Sequence, residues 1–168
     1  MKSNEVLGGP AFEVRGGERE IILRRTFEAP RELVFDAFTN SEHVSSWWGP
    51  DGFRTTTERM DVRPGGVWQH VMHGPDGTDY PNYIVYRAVE RPAKLVWDHG
   101  TSEGEPFVFS ATVTFDEIEG GTRVTLRQEH PTKEARDLLV QQVGAVDGGR
   151  NTLDRFARVV DALQRTRV

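Results

Sequence analysis

Between residues 53 and 130 the chain passes six times from a short β-type segment into a turn signal, and only after Pro131 does it change to a helical period. The segments are 53–62, 66–73, 79–90, 94–100, 107–117 and 122–130. Four of the connections carry explicit turn chemistry: Arg63-Pro64-Gly65-Gly66, Gly74-Pro75-Asp76-Gly77, Arg91-Pro92 and Glu119-Gly120-Gly121. Connections this short leave no length for a crossover, so successive strands must be antiparallel neighbours.

The flanks complete the pattern. Ile21-Ile22-Leu23 and Phe27 make 18–27 a further strand, which Ala29-Pro30 breaks. Leu33, Val34, Ala37 and Phe38 recur at helical spacing over Arg31–Thr39, and Ser41-Glu42-His43 opens a second short helix that runs to Trp47-Trp48 and stops at Gly49-Pro50-Asp51-Gly52. Beyond Pro131, Leu139, Val143, Val146, Leu153, Phe156, Val160 and Leu163 fall on one helical stripe with a gap near Gly148-Gly149-Arg150. The sum is an α+β fold: about seven antiparallel strands curled around a long C-terminal helix, with two short helices after the first strand. Residues 1–17, with four glycines and one proline, read as a flexible lead-in holding at most an edge strand at Ala11–Val14, and 18–168 as one domain.

Composition narrows the functions available. A chain of 168 residues with 4 Trp, 9 Phe and 3 Tyr can build one real core. The net charge of -5, with no basic cluster, argues against nucleic acid. Zero cysteines exclude disulfides, a thiolate nucleophile and cysteine-ligated metal. No segment approaches the roughly 18 apolar residues of a membrane span, and the first ten residues hold no signal-type apolar stretch, so the expectation is a cytoplasmic protein without stable membrane insertion.

Strand alternation assigns an inner face. It groups Phe107, Phe109, Ala111, Val113 and Phe115; Val124, Leu126, Gln128 and His130; Trp68, His70 and Met72; Leu95, Trp97 and His99; Thr56, Glu58, Met60 and Val62; and, in the ambiguous segment 79–90, Ile84, Tyr86 and Ala88. Aromatic rings mixed with a few polar groups suit the lining of a small-molecule cavity. The candidate lining is Trp47, Trp48, Glu58, Trp68, His70, Tyr86, Trp97, His99, Phe107, Phe109, Gln128 and Gly149, the last because a helix lacking side chains in mid-stripe leaves room for a ligand. A dry core with these polar groups at strand ends, and a plain helix break at the glycines, are the competing readings.

His70 and His73 point to opposite faces of one strand, so no metal site is expected, and no cofactor or catalytic motif of standard type occurs. An acid–base pairing of Glu58 with His70 or His99 is the enzymatic alternative. Of Trp47 and Trp48, either one packs on the sheet while the other closes the cavity mouth, or both pack.

Ala29-Pro30, Val34-Phe35-x-Ala37-x-Thr39, Trp47-Trp48-Gly49-Pro50, Asp61-x-Arg63-Pro64-Gly65-Gly66-x-Trp68, Arg91-Pro92-x-x-Leu95-Val96-Trp97, Thr112-Val113-Thr114-Phe115 and Leu153-Asp154-Arg155-Phe156 stand in an order that resembles the activator of heat-shock-protein-90 ATPase homologue-like family, over roughly residues 20 to 164. That family lies within the START-related, Bet v-like superfamily. The resemblance implies a helix-grip fold with a cavity between sheet and C-terminal helix. It implies, as activities, binding of lipids, sterols, hormones or polyketides, with cyclase or hydrolase chemistry and a chaperone partner as alternatives. The leading expectation is a small hydrophobic or aromatic ligand held in that cavity by a monomer or homodimer.

Overall fold

The computed structural model describes residues 5–7, 11–14, 18–140 and 145–166, with side chains described for 18–140 and 148–166. The strands are β1 (Glu5–Leu7), β2 (Ala11–Val14), β3 (Glu20–Phe27), β4 (Arg54–Met60), β5 (Val67–His73), β6 (Asp79–Glu90), β7 (Lys94–Gly100), β8 (Phe109–Ile118) and β9 (Gly121–Glu129); the helices are α1 (Arg31–Thr39), α2 (Ser41–Trp47), α3 (Lys133–Leu138) and α4 (Ala145–Arg165). The nine strands among the described residues form one antiparallel sheet in the order β1-β2-β3-β9-β8-β7-β6-β5-β4. From β4 to β9 each strand pairs with the next in sequence, as short turns dictate. β3 then joins β9, and β2 pairs with β3 along Ala11–Val14 where the sequence allowed one edge strand. Glu5–Leu7 adds a strand outside it; residues 1–4, 8–10 and 15–17 of the expected lead-in lie outside those described.

Local chemistry places the helix ends. Pro30 occupies the N-cap of α1, Asn40 caps α2 by accepting from the Glu42 amide at 2.8 Å, and Thr132 caps α3 by accepting from Ala135 at 3.0 Å. The single long helical stripe is divided between α3 and α4, and Gly148-Gly149 sits inside α4 rather than at the break. Val143 and the Val146 side chain lie outside the described residues.

The core fills the space between the inner face of the sheet and α1, α2 and α4. Phe156 of α4 is fully buried, its ring 5.2 Å from Phe27, 5.5 Å from Phe38 and 4.4 Å from Trp47. Leu153, Ala157 and Val160 extend that face at helical spacing. A Cβ on Gly149 would overlap Leu23 Cδ1 of β3, so the glycine lets α4 approach the sheet. The expected gap for a ligand at Gly149 is occupied by Leu23. This is the helix-grip architecture that the sequence resemblance implies.

Two β-bulges alter the expected faces. Register shifts between Thr57 and Arg59 in β4, so Thr55 and Thr57 turn toward the inner face, Glu58 is exposed, and Met60 returns to the core side. A second shift between Tyr86 and Ala88 sets Ala88 opposite Val96 and brings Val89, opposite Leu95, against the core. Thr56, Glu58 and Ala88 therefore leave the inner set.

Candidate ligand site

The inner face ends in a row of polar rings. His70 on β5 pairs in register with Asn82 on β6, and His99 on β7 with Phe109 on β8. His99 Nε2 lies 2.7 Å from Asn82 Oδ1, and the Trp97 indole N–H donates to His99 Nδ1 at 3.3 Å. An indole can only donate, so His99 carries its proton on Nε2 and gives it to Asn82. The Asn82 amide in turn donates to the Tyr80 carbonyl at 3.0 Å. This polar chain is complete.

His70 differs. It is fully buried, its ring stacked on Trp68 with centroids 4.0 Å apart and met edge-on by Trp48 at 5.8 Å. Neither of its ring nitrogens has a hydrogen-bond partner among the described residues. Burial, and secondarily the neighbouring His99, pushes its pKa down to about 3, while burial lowers that of His99 to about 4. Both rings are neutral at physiological pH. Phe109 stacks on His99 at 4.6 Å and lies 5.1 Å from His130, another buried imidazole whose nitrogens have no partner among the described residues, and whose pKa is lowered by burial and by Arg136.

Of the sequence candidates, Trp68, His70, Tyr86 and Trp97 are buried on this face, with His99, Trp48, Phe109 and Gln128 half-buried around them. Trp47 is buried deeper, on Phe156 of α4, and its indole donates to the Ala37 carbonyl at 3.3 Å. Both tryptophans thus pack, Trp48 on Trp68 at 4.7 Å. Three candidates are not brought to the row. Glu58 is exposed at the β4 bulge, so no acid–base pair with His70 or His99 is assembled. Phe107 is 42% exposed because the β8 ladder starts only at Phe109; its ring lies 5.7 Å below the Arg87 guanidinium. Gly149 serves helix–sheet contact, as described. Phe107, Phe109 and His130 all border an outer cleft of about 360 Å³ at this end of the sheet.

Sequence reasoning missed Asn82, hidden behind Pro81 in an ambiguous strand. It also missed the clamp on the Trp-Trp turn. Arg155 donates to the carbonyls of Gly49, Pro50 and Ser46 at 2.7, 2.8 and 2.9 Å, and Asn151 binds Asp51 through both its amide donor, at 2.8 Å, and its carbonyl. Asn151, Arg155 and Arg158 lie at i, i+4 and i+7, a polar stripe beside the apolar one that could have signalled a docked loop. Among the described residues no three His, Asp or Glu side chains group as metal ligands would, and no helix is long and apolar enough to cross a membrane.

Comparison with known proteins places this arrangement. The sequence profile of the family described as "Activator of Hsp90 ATPase homolog 1-like protein" matches residues 28–161. A search of curated protein sequences found no match. Among solved structures, protein Ms6760 from Mycobacterium smegmatis is 26% identical with a TM-score of 0.79, covering 87% of this chain and 93% of its own. Protein NE0264 from Nitrosomonas europaea is 24% identical with a TM-score of 0.81, covering 90% and 99%, and shares the fold. An AHSA1-like protein from Aeromonas hydrophila is 25% identical with a TM-score of 0.68, covering 86% and 94%. The ordered motifs, the sheet gripping α4 and the profile spanning both together show that the chain belongs to the activator of Hsp90 ATPase homolog 1-like family.

Proposed function

We propose that this chain binds a small hydrophobic or aromatic molecule at the polar end of its inner face, against Trp48, Trp68 and Phe109. The observation that carries the reading is His70: a buried imidazole with one donor and one acceptor, neither matched among the described residues, stacked on the Trp68 indole and met edge-on by Trp48. A group so buried leaves a cost of about 1–3 kcal/mol until something supplies the missing bonds. A ligand hydroxyl or carbonyl meets that need while its apolar part lies on the rings. His99, already saturated by Trp97 and Asn82, would hold the neighbouring wall in place. Family membership supports a ligand-binding or chaperone-related module at a coarse level.

The test is a two-dimensional NMR titration with 2-naphthol, a sterol and a medium-chain fatty acid. Shifts of the Trp68 and Trp97 indole N–H signals and of the His70 ring nitrogens are expected with at least one of the three. Silence at all of these positions rejects the inner-face site and turns the search to a chaperone partner.

A further inference from the structure

On the opposite, outer face of the sheet, β4, β5 and β6 bring three side chains into a relay that the inner site does not use. Thr56 Oγ1 lies 2.8 Å from His73 Nε2, and His73 Nδ1 lies 2.7 Å from Asp79 Oδ1. Register explains the meeting: His73 is directly opposite Asp79 across the β5–β6 ladder, and Thr56 is its diagonal neighbour on β4, where Arg54 is the direct partner. A carboxylate only accepts, so Asp79 fixes the His73 proton on Nδ1 and leaves the Nε2 lone pair facing the Thr56 hydroxyl. Hydroxyl, imidazole and carboxylate stand in the order that activates a nucleophile.

Thr56 also borders a cleft of about 460 Å³ between β4 and α2, shared with Ser41, Ser45, Glu58, Arg59 and Met60. β4 is the outermost strand of the sheet, so alternate main-chain N–H groups along its outer edge have no ladder partner among the described residues. Those amides, and exposed Arg59, are the donors available to a developing oxyanion.

We propose that Thr56, His73 and Asp79 form a second, outer-face site that hydrolyses small, polar carboxylic esters. Thr56 Oγ attacks the ester carbonyl carbon and passes its proton to His73 Nε2. The tetrahedral intermediate collapses, the bond to the alcohol oxygen breaks, and His73 returns the proton to the leaving alkoxide. A water molecule, deprotonated by the same imidazole, then cleaves the acyl-threonine to free acid and regenerated Thr56. Thr56 and His73 are the catalytic residues; Asp79 positions the imidazole. The site is independent of the inner-face ligand reading.

The experiment combines p-nitrophenyl acetate hydrolysis with a fluorophosphonate label located by peptide mass spectrometry on the full chain. The expected adduct is on Thr56. Thr56→Val keeps the branched shape of an exposed strand residue; it should lose the adduct and lower the protein-dependent rate about 10²-fold, and His73→Gln should do the same. Asp79→Asn should lower the rate about tenfold with an unchanged circular dichroism spectrum, because the imidazole loses its fixed tautomer. Thr56→Ser, with a less hindered hydroxyl, should be labelled faster at the same position. Wild-type hydrolysis rates in Thr56→Val, or an adduct found on another residue or on none, overturn the proposal; direct acyl transfer to an imidazole would show itself by that second result.

Discussion

The guanidinium of Arg155 donates to the carbonyl oxygen of Gly49 at 2.7 Å, tying the middle of α4 to the turn that follows Trp47-Trp48. Gly49 has φ 99°, a left-handed conformation that only glycine adopts without strain, so the carbonyl is aimed by the backbone itself. The turn holds Trp48 over Trp68 and His70, and Arg155 therefore links α4 to the candidate site.

Arg155→Lys should break this link although the charge is kept. A lysine ammonium is a single point donor and cannot span the Gly49, Pro50 and Ser46 carbonyls that the guanidinium fork reaches. The expected loss is about 1–3 kcal/mol, read as a lower urea midpoint with an unchanged slope. An unaltered midpoint would show that the turn holds its conformation without the arginine.

Adjacent glycines of α4 should respond in opposite directions. A Cβ on Gly148 meets only Pro50 Cγ at 3.6 Å, an ordinary contact, so Gly148→Ala should gain helix propensity and stabilise by about 0.5–1 kcal/mol. Gly149→Ala drives the new methyl into Leu23 Cδ1 within the packed core, and overpacking of that kind costs about 1–3 kcal/mol, more than the propensity gain. Shortening the obstacle with Leu23→Val should make Gly149→Ala less harmful than in the parent chain. Additive effects in that double-mutant cycle would refute the contact as the cause.

Stability should fall on mild acidification through His70 and His99. Their folded pKa values, about 3 for His70 and about 4 for His99, lie below the unfolded value of 6.5, so the unfolded chain takes up protons that the folded one refuses. Their contribution is complete above pH 6.5 and is lost as pH drops to about 4 for His99 and to about 3 for His70, with a slope approaching about 1.4 kcal/mol per pH unit for each ring. Urea unfolding at about pH 7, 5.5 and 4.5 measures it. His70→Leu should flatten the profile by one histidine's share; an unchanged profile in that variant would mean that His70 does not stay neutral in the fold.

The fold is legible in the sequence wherever the backbone stays regular. Alternation assigns Trp68, Trp97 and Phe115 to the inner face correctly because their own strands carry no inserted residue; the bulges facing Trp68 and Trp97 lie on β4 and β6. It misplaces Glu58 and Ala88 because a bulge inserts one residue and reverses the phase, and hydropathy carries no mark of the insertion. Phe107 continues the period of Phe109 in sequence, yet the ladder does not reach it. At the site, alternation picks out His70 and His99 but neither Asn82 nor the Thr56–His73–Asp79 relay. Each of those depends on which strand lies beside which and in what register, a relation between distant residues.

His70→Leu also separates the two roles a buried imidazole can have. If His70 is kept for a ligand, the free protein bears its unmatched nitrogens, and replacing them with apolar atoms of similar volume should stabilise it. The unpartnered polar group costs about 1–3 kcal/mol, while the stack on Trp68 returns about 0.5–1.5 kcal/mol, so the variant should gain on the order of 1 kcal/mol at neutral pH. Binding should move the other way, with affinity for 2-naphthol falling about tenfold, the equivalent of one hydrogen bond of about 1.4 kcal/mol. A packing histidine predicts the reverse pair, a destabilised protein whose naphthol affinity does not change. Thermal unfolding and calorimetric titration of the one variant therefore decide between a site and a core at this position.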